Sequence, residues 1–207
     1  MIAIAPAHPS AEVTIASRGI SKGVAQTNGL QFVGRGQVSF GALQFSAQYK
    51  NITSPAARGQ ASAALGFAKK IRGFLLSAKA SYKFRTELKP GAVDTEALEL
   101  TVGASRRRGP FEARINYSYS PNDLGTTRRS GYLEATASLE VTRSTSLSAT
   151  IGHRDRERSP DYSAFSFGVS RSISHMLSAD LRYYDTDRTE LGYSYSHHAV
   201  VSLRAKF

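Results

Sequence analysis

The stretch LQFVGRGQVSFGALQFSAQYK, residues 30–50, decides the fold. Its first half places Leu30, Phe32, Val38 and Phe40 on one side and Gln31, Arg35, Gln37 and Ser39 on the other. After Gly41-Ala42 the pattern resumes, with Leu43, Phe45, Ala47 and Tyr49 opposed to Gln44, Ser46, Gln48 and Lys50. Residues two apart on a helix point about 200° apart, so such sets cannot share a helical face. On a strand they line one side. The stretch therefore reads as two antiparallel strands joined by a tight turn.

Outward from there the same period recurs along the chain. It appears as Leu65/Phe67, Leu76/Ala78/Ala80/Tyr82, Leu98/Leu100/Val102, Ala113/Ile115/Tyr117 and Leu133/Ala135/Ala137/Leu139. It continues as Leu147/Ala149/Ile151, Phe165/Phe167/Val169, Leu177/Ala179/Leu181/Tyr183 and Ala199/Val201/Leu203/Ala205/Phe207. With a less regular first strand near Val13 to Arg18, the pattern predicts about twelve strands, each near the length of roughly 9–11 residues that crosses a bilayer. Links alternate short and long, as periplasmic turns and extracellular loops do. Tyr49, Tyr82, Tyr117, Tyr119 and Tyr183 sit beside long links, whereas Phe40, Phe67, Phe74, Phe111 and Phe207 sit beside short ones or at the C-terminus. Two aromatic rings at opposite ends of an apolar band suit the two membrane interfaces.

The alternate positions carry charge. Arg35, Lys79, Lys83, Arg114, Arg182 and Arg204 share the inward phase with Glu99, Glu112 and Glu134. In a dry core each unpaired charge would cost several kcal/mol, whereas in a wet lumen it stays hydrated. The expectation is an all-β protein, a closed antiparallel transmembrane β-barrel with both termini on the periplasmic side. Closure is required because an open edge in lipid leaves backbone groups unpaired. No loop reads as long enough to fold inside as a dedicated constriction, so the inward side chains are expected to set the aperture. Residues 1–11, MIAIAPAHPSA, read as a leader or residual signal segment before a barrel spanning 12–207.

Composition closes off other classes. The chain of 207 residues has no cysteine, which removes disulfide frameworks and thiolate metal sites. No apolar run approaches the roughly 18 residues of a spanning helix, and a mean hydropathy of -0.30 is compatible with strands that are half polar. The surplus of 27 Lys+Arg over 16 Asp+Glu invites a nucleic-acid reading. The clusters Lys69-Lys70 and Arg106-Arg107-Arg108 fall in expected turns, however, and the other cations are spread over many strands, so no nucleic-acid partner is expected. Rim pairs of His153 with Asp155, or His197 with Asp185, could serve a barrel hydrolase. Without a G-x-S-x-G or H-E-x-x-H motif the reading stays non-enzymatic, with no cofactor and no metal.

Two stretches carry a resemblance. SRGIS at residues 17–21 and LRYYDTD at residues 181–187, the latter followed by the final strand VVSLRAKF, resemble the opening and closing signatures of the TorF-type porin family of proteobacteria. The resemblance implies an outer-membrane channel with no catalytic residues. The terminal Phe207 looks like the signal read by the barrel-assembly machinery, a partner that joins outer-membrane lipid and small solutes. The functional expectation is passive diffusion of small polar solutes across the bacterial outer membrane, with anions preferred because cations exceed carboxylates in the lumen. The alternatives are a structural or adhesive barrel with a blocked lumen, and a soluble all-β domain.

Overall fold

The computed structural model describes residues 6–207. The wall begins with β1 (Ala7–Ala16) and continues with β4 (Gln31–Phe40), β5 (Leu43–Asn51), β6 (Ala57–Ile71) and β7 (Phe74–Leu88). It proceeds through β8 (Glu96–Arg108), β9 (Phe111–Asp123), β10 (Arg128–Glu140) and β11 (Thr145–Arg156). It ends with β12 (Tyr162–Ser172), β13 (Leu177–Thr186) and β14 (His198–Lys206). These twelve strands form a closed antiparallel barrel in which β1 pairs with both β4 and β14. Two short strands, β2 (Ile20–Ser21) and β3 (Val24–Ala25), form a separate hairpin.

The seam closes between Glu12↔Lys206 and Ala16↔Ser202, with Ala11 and Phe207 exchanging backbone hydrogen bonds of 3.0 and 2.9 Å. Both ends of the wall therefore lie at the short-turn end. The first strand starts earlier than its alternation suggested: Ala7–Ala11, inside the expected leader, pairs with Phe40–Gly36, while residues 1–5 lie outside the described residues. Pro9 is tolerated because Ala11, two positions on, aims its N–H at β14, and β14 pairing begins only at Glu12. The N–H that proline lacks would have faced no strand.

Several strands are longer than a bilayer requires, β6 and β7 reaching 15 residues each. Their connection explains this. Arg72 and Gly73, at φ 49° and 83°, form a two-residue turn of the type that matches strand twist, so the ladder runs uninterrupted to Ile71↔Phe74. Lys69-Lys70 and Arg106–Arg108 accordingly lie in β6 and β8 rather than in turns as expected. Arg106 lies 4.9 Å above the Phe74 ring on the outer wall, and Arg107 turns inward to Glu112 at 2.8 Å.

The outer wall is apolar: Phe45, Leu65, Leu100, Ile115, Leu147, Phe167 and Val201 are all exposed. A depression of about 650 Å³ between Phe111, Leu139, Leu147 and Leu181 has the lining an acyl chain would fill. Near the long loops the outward tyrosines meet carboxylates: Tyr49 donates to Glu87 at 2.6 Å, Tyr183 to Asp185 at 3.2 Å, and Tyr82 to Glu96. Each ring stays in the apolar belt while its hydroxyl reaches the polar layer. The wall is thus a transmembrane β-barrel, with apolar groups outward and hydrophilic groups inward.

One expectation needs correction. The connection from β1 to β4 does fold into the lumen, carrying the β2–β3 hairpin with it. Buried residues collect around this hairpin: Glu99, Ser120, Asp123, Tyr132, Tyr162 and Ala164 all lie in the half of the barrel nearer the long loops. The fourteen residues 17–30 suffice for the insertion because a hairpin of two-residue strands needs only one turn and brings its own backbone pairing.

Candidate functional site

The hairpin is built locally. Lys22 and Gly23 have φ 51° and 82°, the paired left-handed residues of a two-residue turn between Ser21 and Val24. Glycine is demanded twice over at position 23, since a Cβ there would lie 2.2 Å from the Cβ of Ala164 on the far wall. At the root, the Gln26 N–H donates to the Gly19 carbonyl at 2.7 Å, and the Gly19 N–H donates to Thr27 Oγ1 at 2.8 Å. Arg18 donates to the Tyr193 hydroxyl at 2.8 Å and lies 4.8 Å from that ring's centre, which ties the root to the last long loop.

The tip is held by two latches. Lys22 Nζ pairs with Glu99 on β8 at 2.6 Å, and the Tyr162 hydroxyl on β12 donates to the Lys22 carbonyl at 2.8 Å. Burial pulls the Lys22 ammonium below its ordinary pKa, with the Glu99 charge opposing that shift. Tyr162 is itself positioned by Arg154, which pairs with Asp123; Asp123 also accepts from Ser130 at 2.6 Å and from the Leu124 N–H at 2.8 Å. Leaving between β1 and β4 and ending against β8 and β12, the hairpin crosses the lumen.

It divides the outer half of the lumen into two spaces. One, of about 420 Å³, lies between the hairpin and the β5–β9 wall and is lined by Gln26, Gln48, Lys50, Lys79, Lys83 and Arg85, with Glu99 and Asp123. The other, of about 280 Å³, is bordered by Tyr132, Glu134, Thr136, Thr150, Arg182 and Tyr184. Below the hairpin, toward the short turns, the lumen holds Arg114 on Glu112 at 2.9 Å and Arg204 on Glu12 at 3.5 Å.

The residues expected inward are distributed among these spaces. Lys79, Lys83 and Glu99 meet in the first chamber, where Lys83 lies 2.7 Å from Glu99. Glu134 accepts from Asn116 at 3.1 Å, and Arg182 holds Ser148 at 2.7 Å and Asp180 at 3.1 Å beside the second space. Arg35 reaches Gln37 at 3.0 Å. Sequence reasoning put Lys50 on the polar side of its strand without counting it among the pore-lining charges, and did not single out Lys22, Arg85, Asp123 or Arg154. Arg85 and Arg154 follow Lys83 and Gly152 by two positions, so carrying the alternation past the tyrosine ring would have found both.

Of the two expected rim pairs, the structure brings His153 beside Asp155. His153 Nε2 is 3.2 Å from Asp155 and its Nδ1 is 3.0 Å from Ser163 Oγ, all on the outer wall. The Ser163 N–H donates to Asp187 at 2.7 Å. His197 stacks on Tyr183 at 6.5 Å, and Asp185 accepts from that same tyrosine.

Residues 3–207 match the family described as "Bacterial protein of unknown function (Gcw_chp)". That is not the TorF-type name suggested by SRGIS and LRYYDTD, although a porin fold agrees with both. No curated protein matches the sequence. Among solved structures, the KdgM porin superposes with a TM-score of 0.70 at 7% identity, covering 96% of this chain and 99% of that one. KdgM in complex with disordered oligogalacturonate matches at 0.69 and 7% identity, covering 96% and 99%. The COG4313 outer membrane channel from Pseudomonas putida F1 matches at 0.57 and 10% identity, covering 100% of this chain and 96% of that one. The fold is that of outer-membrane porins and channels.

Proposed function

The chain belongs to the Gcw_chp family of bacterial proteins of unknown function, so its role must come from geometry, and we propose that it is an outer-membrane channel for small polar, preferentially anionic, solutes. The observation that carries this reading is the charge of the larger chamber. Six cations, Lys22, Lys50, Lys79, Lys83, Arg85 and Arg154, face two carboxylates, Glu99 and Asp123. A narrow, low-dielectric-walled passage with that surplus concentrates anions and repels cations. The KdgM complex with oligogalacturonate supports the reading, since it places a carboxylate-bearing saccharide with a barrel of the same fold.

In this reading Arg35, Lys79, Lys83, Arg114, Arg182 and Arg204 line the pore with Glu99, Glu112 and Glu134, and the hairpin sets its narrowest point. Kinship with the TorF-type porins, and Phe207 as the signal read by the barrel-assembly machinery, belong to the same proposal. The test is the reversal potential of the reconstituted barrel in a salt gradient, with heat-modifiable gel migration to verify folding. A potential of the anion-selective sign is expected, and clear cation preference defeats the reading. The buried hairpin favours a second reading, a structural barrel with a closed lumen. Silence in bilayers despite correct folding would select it.

A further inference from the structure

The carboxylates of the larger chamber are already occupied. Glu99 takes both Lys22 and Lys83, and Asp123 takes Arg154, Ser130 and the Leu124 N–H. Three cations remain without a carboxylate partner among the described residues: Lys50, Lys79 and Arg85. Lys50 reaches only the Gln26 side chain, on the hairpin side of the chamber. Arg85 has a buried Nε with no hydrogen-bond partner at all, although its side chain borders the cavity. Lys50 and Arg85 are half-buried and Lys79 is open to the lumen, and a partly desolvated cation without a counter-charge is relieved by a ligand that supplies one.

Their placement is fixed by the sheet. Lys50 pairs with Gln60 and Gln60 with Arg85, which sets Lys50 and Arg85 in one row two strands, about 10 Å, apart. Lys79 lies six residues along β7 from Arg85, roughly 20 Å nearer the short turns, with Lys83 between them. All three side chains line the same chamber, spread along its length. The volume of about 420 Å³ is that of a small-molecule site, and Gln48, Gln60, Ser62 and Ser81 add uncharged hydrogen-bonding groups to its lining. A monovalent anion would satisfy one of the three cations and leave two.

We infer that this chamber is a binding site for a small polyanion, a di- or tricarboxylate, held by Lys50, Lys79 and Arg85 against the hairpin. The inference rests on the channel reading and goes further: passage of such a solute is saturable, because it pauses in the chamber, rather than free diffusion.

Citrate is the probe, with acetate at matched ionic strength as the monocarboxylate control. In planar bilayers, citrate added on the long-loop side is expected to block the chloride current saturably, while acetate does not. Titration calorimetry of the detergent-folded barrel is expected to show the same selectivity. K50Q and K79Q should each raise the half-blocking citrate concentration roughly tenfold, the loss of one charge-assisted contact. K69Q, on the outer wall, should leave it unchanged. If either lysine variant fails to fold, R85Q carries the same test. Equal effects of citrate and acetate, or unchanged block in folded K50Q and K79Q, overturn the inference. A conducting, anion-selective barrel without citrate affinity defeats this inference alone, whereas citrate binding by a barrel silent in bilayers defeats the channel reading alone.

Discussion

Excising the hairpin should widen the passage. The Gln26 N–H already bonds the Gly19 carbonyl, so replacing Ile20–Ala25 with Gly-Gly leaves a two-residue turn at the rim. Twelve strands spaced about 4.8 Å apart and tilted about 40° enclose a backbone diameter of roughly 24 Å. Inward side chains take roughly 6 Å from each side, leaving a bore near 12 Å. A two-stranded ribbon about 5 Å between backbones, plus its side chains, covers roughly half of that section. Single-channel conductance should therefore rise about twofold on excision. The barrel should persist, because the change removes the Lys22–Glu99 pair and the Tyr162–Lys22 hydrogen bond but no bond of the wall ladder. Single-channel recording in symmetric salt reads the first effect and heat-modifiable migration the second. Conductance equal to that of the parent would mean that the hairpin is not the narrowest point.

Three further outcomes follow from particular contacts. Glu99→Gln removes the counter-charge of Lys22 and Lys83, so the reversal potential should move further in the anion-selective direction; a move toward cations would contradict the charge argument. Gly23→Val must abandon φ +82° and relieve a 2.2 Å approach to Ala164, so the tip should withdraw and conductance should approach that of the excised form, with thermal stability of the wall unchanged. Unaltered conductance would show that the tip contact is not needed to keep the hairpin in place. Phe207→Ala keeps the backbone bonds to Ala11 and loses a side chain that is 66% exposed. It should lower the amount of assembled barrel in cells without changing the melting of refolded protein, and equal assembly would remove its role as a signal.

The alternation first seen in residues 30–50 recurs through most of the wall, because a half-wet, half-lipid wall imposes period two whatever lies opposite. The same logic placed Lys79, Lys83 and Glu99 inward without any knowledge of their partners. It gave out at β1, where Pro9 and His8 break the pattern yet pair with β4, and at the loop ends, where Arg85 and Arg154 continue strands that look finished. By itself, then, the sequence determined which side chains meet water and which meet acyl chains, since that depends only on neighbours two positions away. That a hairpin enters the lumen was decided by tertiary structure alone. Lys22 and Glu99 are 77 residues apart, and Tyr162 is 140 from the carbonyl it holds. Only closure of β1 onto β14 brings the far wall within reach of a hairpin tip, and no local pattern records that distance.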